Sequence, residues 1–237
     1  MFIDKVLIFT LKAMNNIFSD RRSHLASKVL EDSAIIIASA TVKSRISDTD
    51  YAYRQDSNFY YLSGYEEPES LILIRPDKDN EKFVIFCRDR DPLREQWDGF
   101  RTGQEGAIQG YNADSAYSIN SIDQQMPHLL EGVKNIYFSM SAPNGVDLKI
   151  SQWVEDIRKN TRAGAEPPQN LLSLDLILHE MRLSKEDHEM DLMKHAAGIT
   201  TEAHIRAMQA VTPGMFEYQL EAEYLYAFNK NGARSPA

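Results

Sequence analysis

The sequence has little cysteine, and this scarcity excludes several kinds of site. Cys87 is the only cysteine in 237 residues, so an internal disulfide and a thiolate-rich zinc site are both excluded. A single unpaired thiol is consistent with a reducing compartment, and the cytoplasm is the predicted location.

Long apolar runs and basic clusters are also missing. The apolar run at residues 6–11 is far shorter than the roughly 20 residues of a membrane-spanning helix, and it lies within a predicted N-terminal extension, residues 1–15. The chain carries 26 Lys and Arg against 35 Asp and Glu, a formal charge of −9. Because a phosphate backbone would be repelled on average, neither nucleic acid nor membrane is a predicted partner.

The composition that is present predicts a globular α/β protein. Hydrophobic residues make up 43% of the chain, which is enough for one large domain or for one domain and part of a second. Short β-branched runs predict strands, and apolar residues at helical spacing predict helices between them. The predicted strands are 33–38, 71–74, 83–86, 114–118 and 135–138, and the predicted helices are 16–30 on the surface, 119–130 and 146–159.

Two short helices are predicted from capping residues. Asp56 or Ser57 can cap a helix over residues 58–62, with Gly64 supplying a positive φ where it ends. Asp91 can cap a second helix, which carries Trp97. The segment after that helix is predicted to be broken up by Gly99, Gly103 and Gly106.

The C-terminal part predicts two long helices. A linker-like composition at residues 163–168 precedes a predicted short helix at 171–181. Ser184, followed by Asp187, is predicted to cap a long helix that ends at residues 213–214, and a final helix follows from 216 to 231. Both helices have apolar residues on two sides, which predicts that they lie between layers.

Residues that resemble metal or acid-base sites are weak candidates. His179 and Glu180 begin an HExxH pattern, but Leu183 stands where the second histidine is required. Three groups have alternative readings, as ligands or as ordinary surface and packing residues, and the second reading is favoured for each. They are the trio His188, Asp191 and His195, the single residue His204, and the acidic residues Glu217, Glu221 and Glu223. No catalytic or metal-binding residue is assigned.

Aromatic side chains give the only candidate for substrate contact. Trp97 is flanked by polar residues, which suits either the rim of a binding site or a partly buried surface position. A second group, Tyr51, Tyr53, Phe59, Tyr60, Tyr61 and Tyr65, could line a ligand site, but packing under a loop is favoured.

Two blocks of sequence resemble the Xaa-Pro aminopeptidase (aminopeptidase P) family. The first is DYAYRQDSNFYYLSGY at residues 50–65, followed by Glu67-Pro68-Glu69. The second runs from HEMR at 179–182 through PGMFEY at 213–218 to GARSP at 232–236. The resemblance covers residues 16–237.

The resemblance implies a fold and a division of the chain. It implies a mixed-sheet α/β domain at residues 16–165, a linker and short helix at 166–183, and the first two helices of an α+β "pita-bread" metallopeptidase domain at 184–237. The catalytic domain is expected to be incomplete, because the family's metal ligands all lie beyond the point that matches Ala237.

The resemblance also implies an activity. Enzymes of this family use two bridged metal ions, usually manganese, to remove an N-terminal residue that precedes proline. Trp97 matches a tryptophan that approaches the substrate in relatives, although the neighbouring Asp98-Gly99-Phe100-Arg101 departs from the usual aromatic-Gly-Arg-Arg order. The full enzyme is expected to bind proline-containing peptides and to form a homo-oligomer. This chain alone is expected to bind no metal and to be inactive. The alternative is a non-catalytic module for oligomerisation or peptide binding.

Overall fold

The computed structural model describes residues 16–140 and 145–233, which fall into two compact units divided after Met181. The N-terminal extension with its apolar run lies outside the described residues, as does the end of the second family block, 234–237. None of the helices in the described part of the chain has the length and apolarity needed to cross a bilayer.

The first unit is organised around a mixed six-stranded sheet in the order β6-β5-β4-β1-β7-β8. β4 runs antiparallel to its neighbours and every other pairing is parallel. β2 and β3 form a separate, exposed hairpin. The strands are β1 (Ser33–Ala38), β2 (Ser44–Ile46), β3 (Thr49–Asp50), β4 (Leu71–Ile74), β5 (Phe83–Cys87), β6 (Ser115–Ser118), β7 (Asn135–Phe138) and β8 (Asn170–Ser173).

Helices cover both faces of this sheet. The described part of α1 spans residues 16–26. The other helices of the unit are α2 (Ser57–Ser63), α3 (Glu95–Asp98), α4 (Gly103–Tyr111), α5 (Ile122–Leu130), α6 (Val146–Arg158) and α7 (Asp175–Leu183), with short 3-10 turns at Ile119–Ser121 and Thr161–Ala163.

The core consists of two apolar layers, one on each face of the sheet. Ile36 of β1 packs with α5 and α6, while Ile35 on the opposite face packs with α1, α2, α4 and α7. Because both faces are buried, the inner strands β1, β4 and β5 are apolar without alternation, which is why short β-branched runs predicted them. The predicted mixed-sheet α/β fold is confirmed.

The first helix exposes one side, as predicted for a surface helix, but its end and the depth of its buried side differ from the prediction. It ends at residue 26 rather than 30, and Arg21 and Arg22 lie inside the unit. The Arg22 guanidinium donates to the Leu62 carbonyl at 2.9 Å and lies 3.7 Å from the centre of the Phe83 ring. Burial lowers the pKa of Arg22 to about 10. These residues read as surface charges in sequence because their partners lie 40 or more positions away.

Two further predictions are wrong. The glycine-rich segment from Gly103 forms the helix α4 and is not broken up; Gly103 serves close packing, since a Cβ there would lie 2.7 Å from Cγ of Arg90. The predicted helix at 171–181 is wrong at its start: residues 170–173 form an edge strand, β8, and the helix α7 begins only at Asp175. Pairing of β8 with β7 outweighs the helical spacing of its leucines.

The second unit consists of α8 (Asp187–Ala210) and α9 (Glu217–Lys230). Ile199 and Ala203 of α8 pack against Ala227 and Phe228 of α9. The predicted cap at Ser184 is wrong by two residues: Glu186 caps α8 in a reciprocal capping box with Glu189. The other sides of both helices expose large apolar side chains, among them Met190, Leu192, Met193, Met208, Tyr218 and Leu225.

Candidate functional site

Trp97 lies on a segment, residues 88–102, that leaves the sheet after β5 and returns at α4. As predicted, Asp91 caps the turn that leads into α3: its carboxylate accepts from the backbone amides of Leu93 and Arg94, both at 3.1 Å. α3 is only four residues long. Trp97 is 89% exposed, so it lies at the tip of the segment and not partly buried.

The tip of the segment is apolar, and the shortest of the ion pairs that hold it joins Arg90 and Glu95. Leu93 and Phe100 are exposed beside Trp97. The Arg90 guanidinium makes two hydrogen bonds to Glu95, at 2.6 and 2.9 Å, and lies 4.3 Å from the centre of the Phe100 ring. The hydrogen bond from Arg90 lowers the pKa of Glu95. This arrangement presents exposed aromatic side chains on a locally braced turn.

The base of the segment is held by a cluster that the sequence did not reveal. Glu67 accepts hydrogen bonds from the backbone amide and hydroxyl of Thr102, at 2.6 and 2.5 Å, and Arg88 lies 3.3 Å from its second oxygen. Arg101 donates to the Asp89 carbonyl at 3.4 Å. Glu67 is 35 residues from Thr102, so no local pattern signals this contact.

The interior below the segment offers no nucleophile. Cys87 and Tyr65 are both fully buried. Burial raises the pKa of the Cys87 thiol to about 11, and it also raises the pKa of Tyr65. Since the thiolate is the reactive form, Cys87 is a packing residue.

The aromatic residues near α2 mainly pack, as favoured from sequence. Phe59, Tyr61 and Tyr65 are buried, and Tyr60 meets the Phe18 ring edge-on at 5.7 Å. Tyr51, 58% exposed, and half-buried Tyr53 differ, because they line a cleft of about 410 Å³. The buried members of the group build the core beneath α2.

The other candidates from sequence are spread over the chain. His179 lies in α7, beside a cleft of about 220 Å³ at the carboxyl ends of β1 and β7, which Asp56 and Asp175 also line. On α8, His188 lies 3.3 Å from Glu186. Asp191 pairs with the neighbouring Lys194 at 3.3 Å, and His195 is exposed.

The second unit contains an apolar groove of about 780 Å³ along α8 and α9. His204 lines it, and its Nδ1 is 2.7 Å from the Tyr224 hydroxyl. Glu217 and Glu221 also border the groove. Glu223 instead forms a 2.6 Å ion pair with Arg206, as expected for an ordinary surface carboxylate.

Comparisons with known proteins find one family across the chain. Residues 18–137 match the family model described as aminopeptidase P, N-terminal domain, and residues 191–237 match metallopeptidase family M24. A metallopeptidase family implies a metal cofactor. Within residues 16–140 and 145–233, however, no three His, Cys, Asp or Glu side chains gather closely enough to hold a metal ion, so the described residues do not form a metal site.

Individual relatives support the same assignment. The chain is 37% identical to the Xaa-Pro aminopeptidase of Escherichia coli over 93% of its own length and 50% of that protein. It is similar in structure to Pseudomonas aeruginosa aminopeptidase PepP, with a TM-score of 0.91 and 42% identity over 94% of this chain and 50% of that one. It is also similar to E. coli aminopeptidase P with the inhibitor Pro-Leu, with a TM-score of 0.89 and 35% identity over 94% and 51% of the two chains.

The part of these relatives that the chain matches agrees with the two units of the fold. The chain spans about half the length of the curated relatives it matches. The matched part comprises the α/β domain and the start of the metallopeptidase domain, as the two sequence blocks predicted. Together with the family model that matches half of its residues, this similarity shows that the chain belongs to the aminopeptidase P family.

Proposed function

We propose that the chain is the N-terminal portion of a dinuclear-metal Xaa-Pro aminopeptidase, an enzyme that removes the N-terminal residue preceding a proline. One observation carries this proposal: the aminopeptidase P domain match and the metallopeptidase match follow each other in a single chain. The 37% identity to the E. coli Xaa-Pro aminopeptidase extends over both.

Within that enzyme, we propose that Trp97 contacts the peptide substrate. Its ring is exposed on a braced turn, and proline-containing peptides commonly dock against aromatic side chains. The E. coli relative was solved with the inhibitor Pro-Leu, which supports a site for short proline peptides. Phe100 adds a second exposed ring at a position where the family usually has arginine, so the contact in this chain is more apolar.

The metal chemistry is proposed for the whole enzyme and not for this chain. In the family, two metal ions, proposed to be manganese, supply the activated oxygen nucleophile and polarise the scissile carbonyl. The described residues provide no ligand group for them, so we propose no step by this chain through a metal. As part of the same proposal, the enzyme is located in the cytoplasm. Its partners are proline-containing peptides and a second copy of the same protein.

A chimera tests the function. The purified chain with Mn²⁺ and an Xaa-Pro peptide should release no amino acid. The chain joined to the second half of the E. coli enzyme should release the N-terminal residue, and only when metal is present. Metal-dependent release by the chain alone would contradict the proposal. An inactive, folded chimera that still binds the peptide would favour the non-catalytic alternative.

The same chimera tests Trp97. Removing one aromatic contact from a bound peptide, as in Trp97→Ala, should lower kcat/KM by about tenfold, ~1.4 kcal/mol. Trp97→Phe should retain most of the activity because it keeps an aromatic face. Leu148→Ala, which alters an equally exposed apolar residue on α6, is the matched control. Equal activity of Trp97→Ala and Leu148→Ala would remove Trp97 from the site.

A further inference from the structure

Both ends of the Trp97 segment are held by the same carboxylate. One oxygen of Glu67 accepts two hydrogen bonds from Thr102, the last residue of the segment. The other oxygen lies 3.3 Å from Nη2 of Arg88, the first residue. Glu67 therefore closes the segment into a loop whose two ends share one anchor.

The anchor is itself fixed to the sheet. Because β4 runs antiparallel to β5, with Leu71 opposite Phe86, the residues that precede β4 lie beside those that follow β5. The side-chain amide of Gln55 donates to the Glu67 carbonyl at 3.0 Å, and the Ser70 hydroxyl donates to the same carbonyl at 3.0 Å. The backbone position of Glu67 is therefore fixed by contacts that do not involve the segment.

Exposed polar contacts hold parts of the segment, since Asp89 accepts hydrogen bonds from Ser118 and Gln104 and Arg101 pairs with Asp98, but little else fixes its tip. α3 is a single turn, which does not persist in water without tertiary support. Leu93, Trp97 and Phe100 are all more than two-thirds exposed, so apolar burial does not hold the tip. Glu67 and Arg88, by contrast, have side chains that are only 16% exposed, where charge-assisted hydrogen bonds are less screened than at the surface.

We propose that Glu67 is a positioning residue that fixes the Trp97 segment. This role matters for catalysis only if Trp97 contacts the peptide, as proposed above. The positioning of the segment by Glu67 does not depend on that contact. Without the carboxylate, the sheet and the helices around it remain, while residues 88–102 lose the part-buried contact between their ends and keep only the longer, exposed Arg101–Asp89 hydrogen bond at 3.4 Å. Gln55 and Glu67, which both belong to the first block of family sequence, then act together on the Trp97 side chain, more than 25 positions away.

Hydrogen exchange measured by mass spectrometry on the free chain tests this proposal. Glu67→Gln keeps the size of the side chain but removes its charge. We expect the amides of Trp97, Asp98 and Thr102 to exchange about tenfold faster, since hydrogen bonds to a charged group have been weakened. Amides of α6 should not change. Glu69→Gln, the same substitution at an exposed residue two positions away, is the matched control and should change neither region.

A second pair of variants keeps the carboxylate in place. Thr102→Val removes the hydroxyl that donates to Glu67 and should accelerate exchange in the segment, whereas Thr102→Ser retains the hydroxyl and should not. Equal acceleration in α6 and in the segment would show a general loss of stability and overturn the positioning role, as would wild-type exchange in Glu67→Gln. The exchange experiment contains no substrate, so unchanged exchange would refute the positioning role of Glu67 alone. A fully active Trp97→Ala chimera would refute only the contact between Trp97 and the peptide.

Discussion

Replacing Gly64 with alanine should destabilise the first unit through two separable effects. Gly64 ends α2 in the left-handed region, with φ of 66°, and its amide donates to the Tyr60 carbonyl at 2.8 Å. A Cβ at this position would lie 2.3 Å from Cε2 of Phe18, far inside van der Waals contact. Both the backbone conformation and the approach of α1 therefore require glycine.

The two effects have different sizes. The left-handed conformation costs alanine about 1 kcal/mol. Phe18 is 7% exposed and packs edge-on against Tyr60, so moving its ring adds the cost of overpacking, about 1–3 kcal/mol. We expect Gly64→Ala to lower the free energy of unfolding by about 2–4 kcal/mol, the sum of the two.

Urea unfolding followed by the fluorescence of buried Trp153 measures this loss. Gly132→Ala is the matched control, because Gly132 has φ of 74° but nothing within 4 Å of the added Cβ, so it should lose only about 1 kcal/mol. In a chain that already carries Phe18→Ala, Gly64→Ala should lower the free energy of unfolding by little more than Gly132→Ala does. Equal losses for Gly64→Ala and Gly132→Ala would refute the steric part of the reasoning.

Three further outcomes are expected. Burial raises the pKa of Cys87 from its ordinary value of 9.0 to about 11, so the unfolded chain loses this proton first as the pH rises. The stability that depends on the protonated thiol is complete below pH 9 and should fall by about 2 kcal/mol by pH 11. Cys87→Ala should remove this part of the decrease in Tm, while the buried tyrosines keep theirs. Arg75 is buried, and its guanidinium lies 3.0 Å from Glu81. Arg75→Ala should therefore lower the free energy of unfolding by about 3 kcal/mol in the same urea titration. Arg94→Ala, at an exposed ion pair, should lower it by less than about 1 kcal/mol. The exposed apolar sides of α8 and α9 should cause concentration-dependent self-association, which Met208→Glu should weaken in sedimentation equilibrium; a monomeric wild-type chain at all concentrations would contradict this.

Local signals account for the elements that the sequence predicted correctly. The run at Ser33–Ala38 is a strand because a sheet buried on both faces needs continuous apolar residues. The Asp56 carboxylate accepts from two backbone amides of α2, at 2.9 Å each, and Gly64 supplies the positive φ, so both ends of that helix can be read within ten residues. In each case the signal lies within the element's own residues, even though the strand's pairing partners are distant.

The errors arise where a distant partner decides. In α4, the side chain of Arg90 occupies the space that a Cβ on Gly103 would take, so this glycine fits a contact with a residue 13 positions away instead of ending the helix. β8 forms because β7 offers an edge to pair with. The family resemblance identified Trp97, but only the folded chain shows what holds it.

Glu67 also has its deciding partners far away in sequence, so it is visible there only as part of a motif. In sequence, Glu67-Pro68-Glu69 contains two carboxylates with no means of ranking them. In the structure, Glu69 is exposed, whereas Glu67 contacts both ends of a segment that begins 21 residues later. The fold makes this distinction because the antiparallel pairing of β4 and β5 brings the start of one strand to the end of the other. A family signature can therefore mark a residue whose effect lies elsewhere, here at an exposed tryptophan.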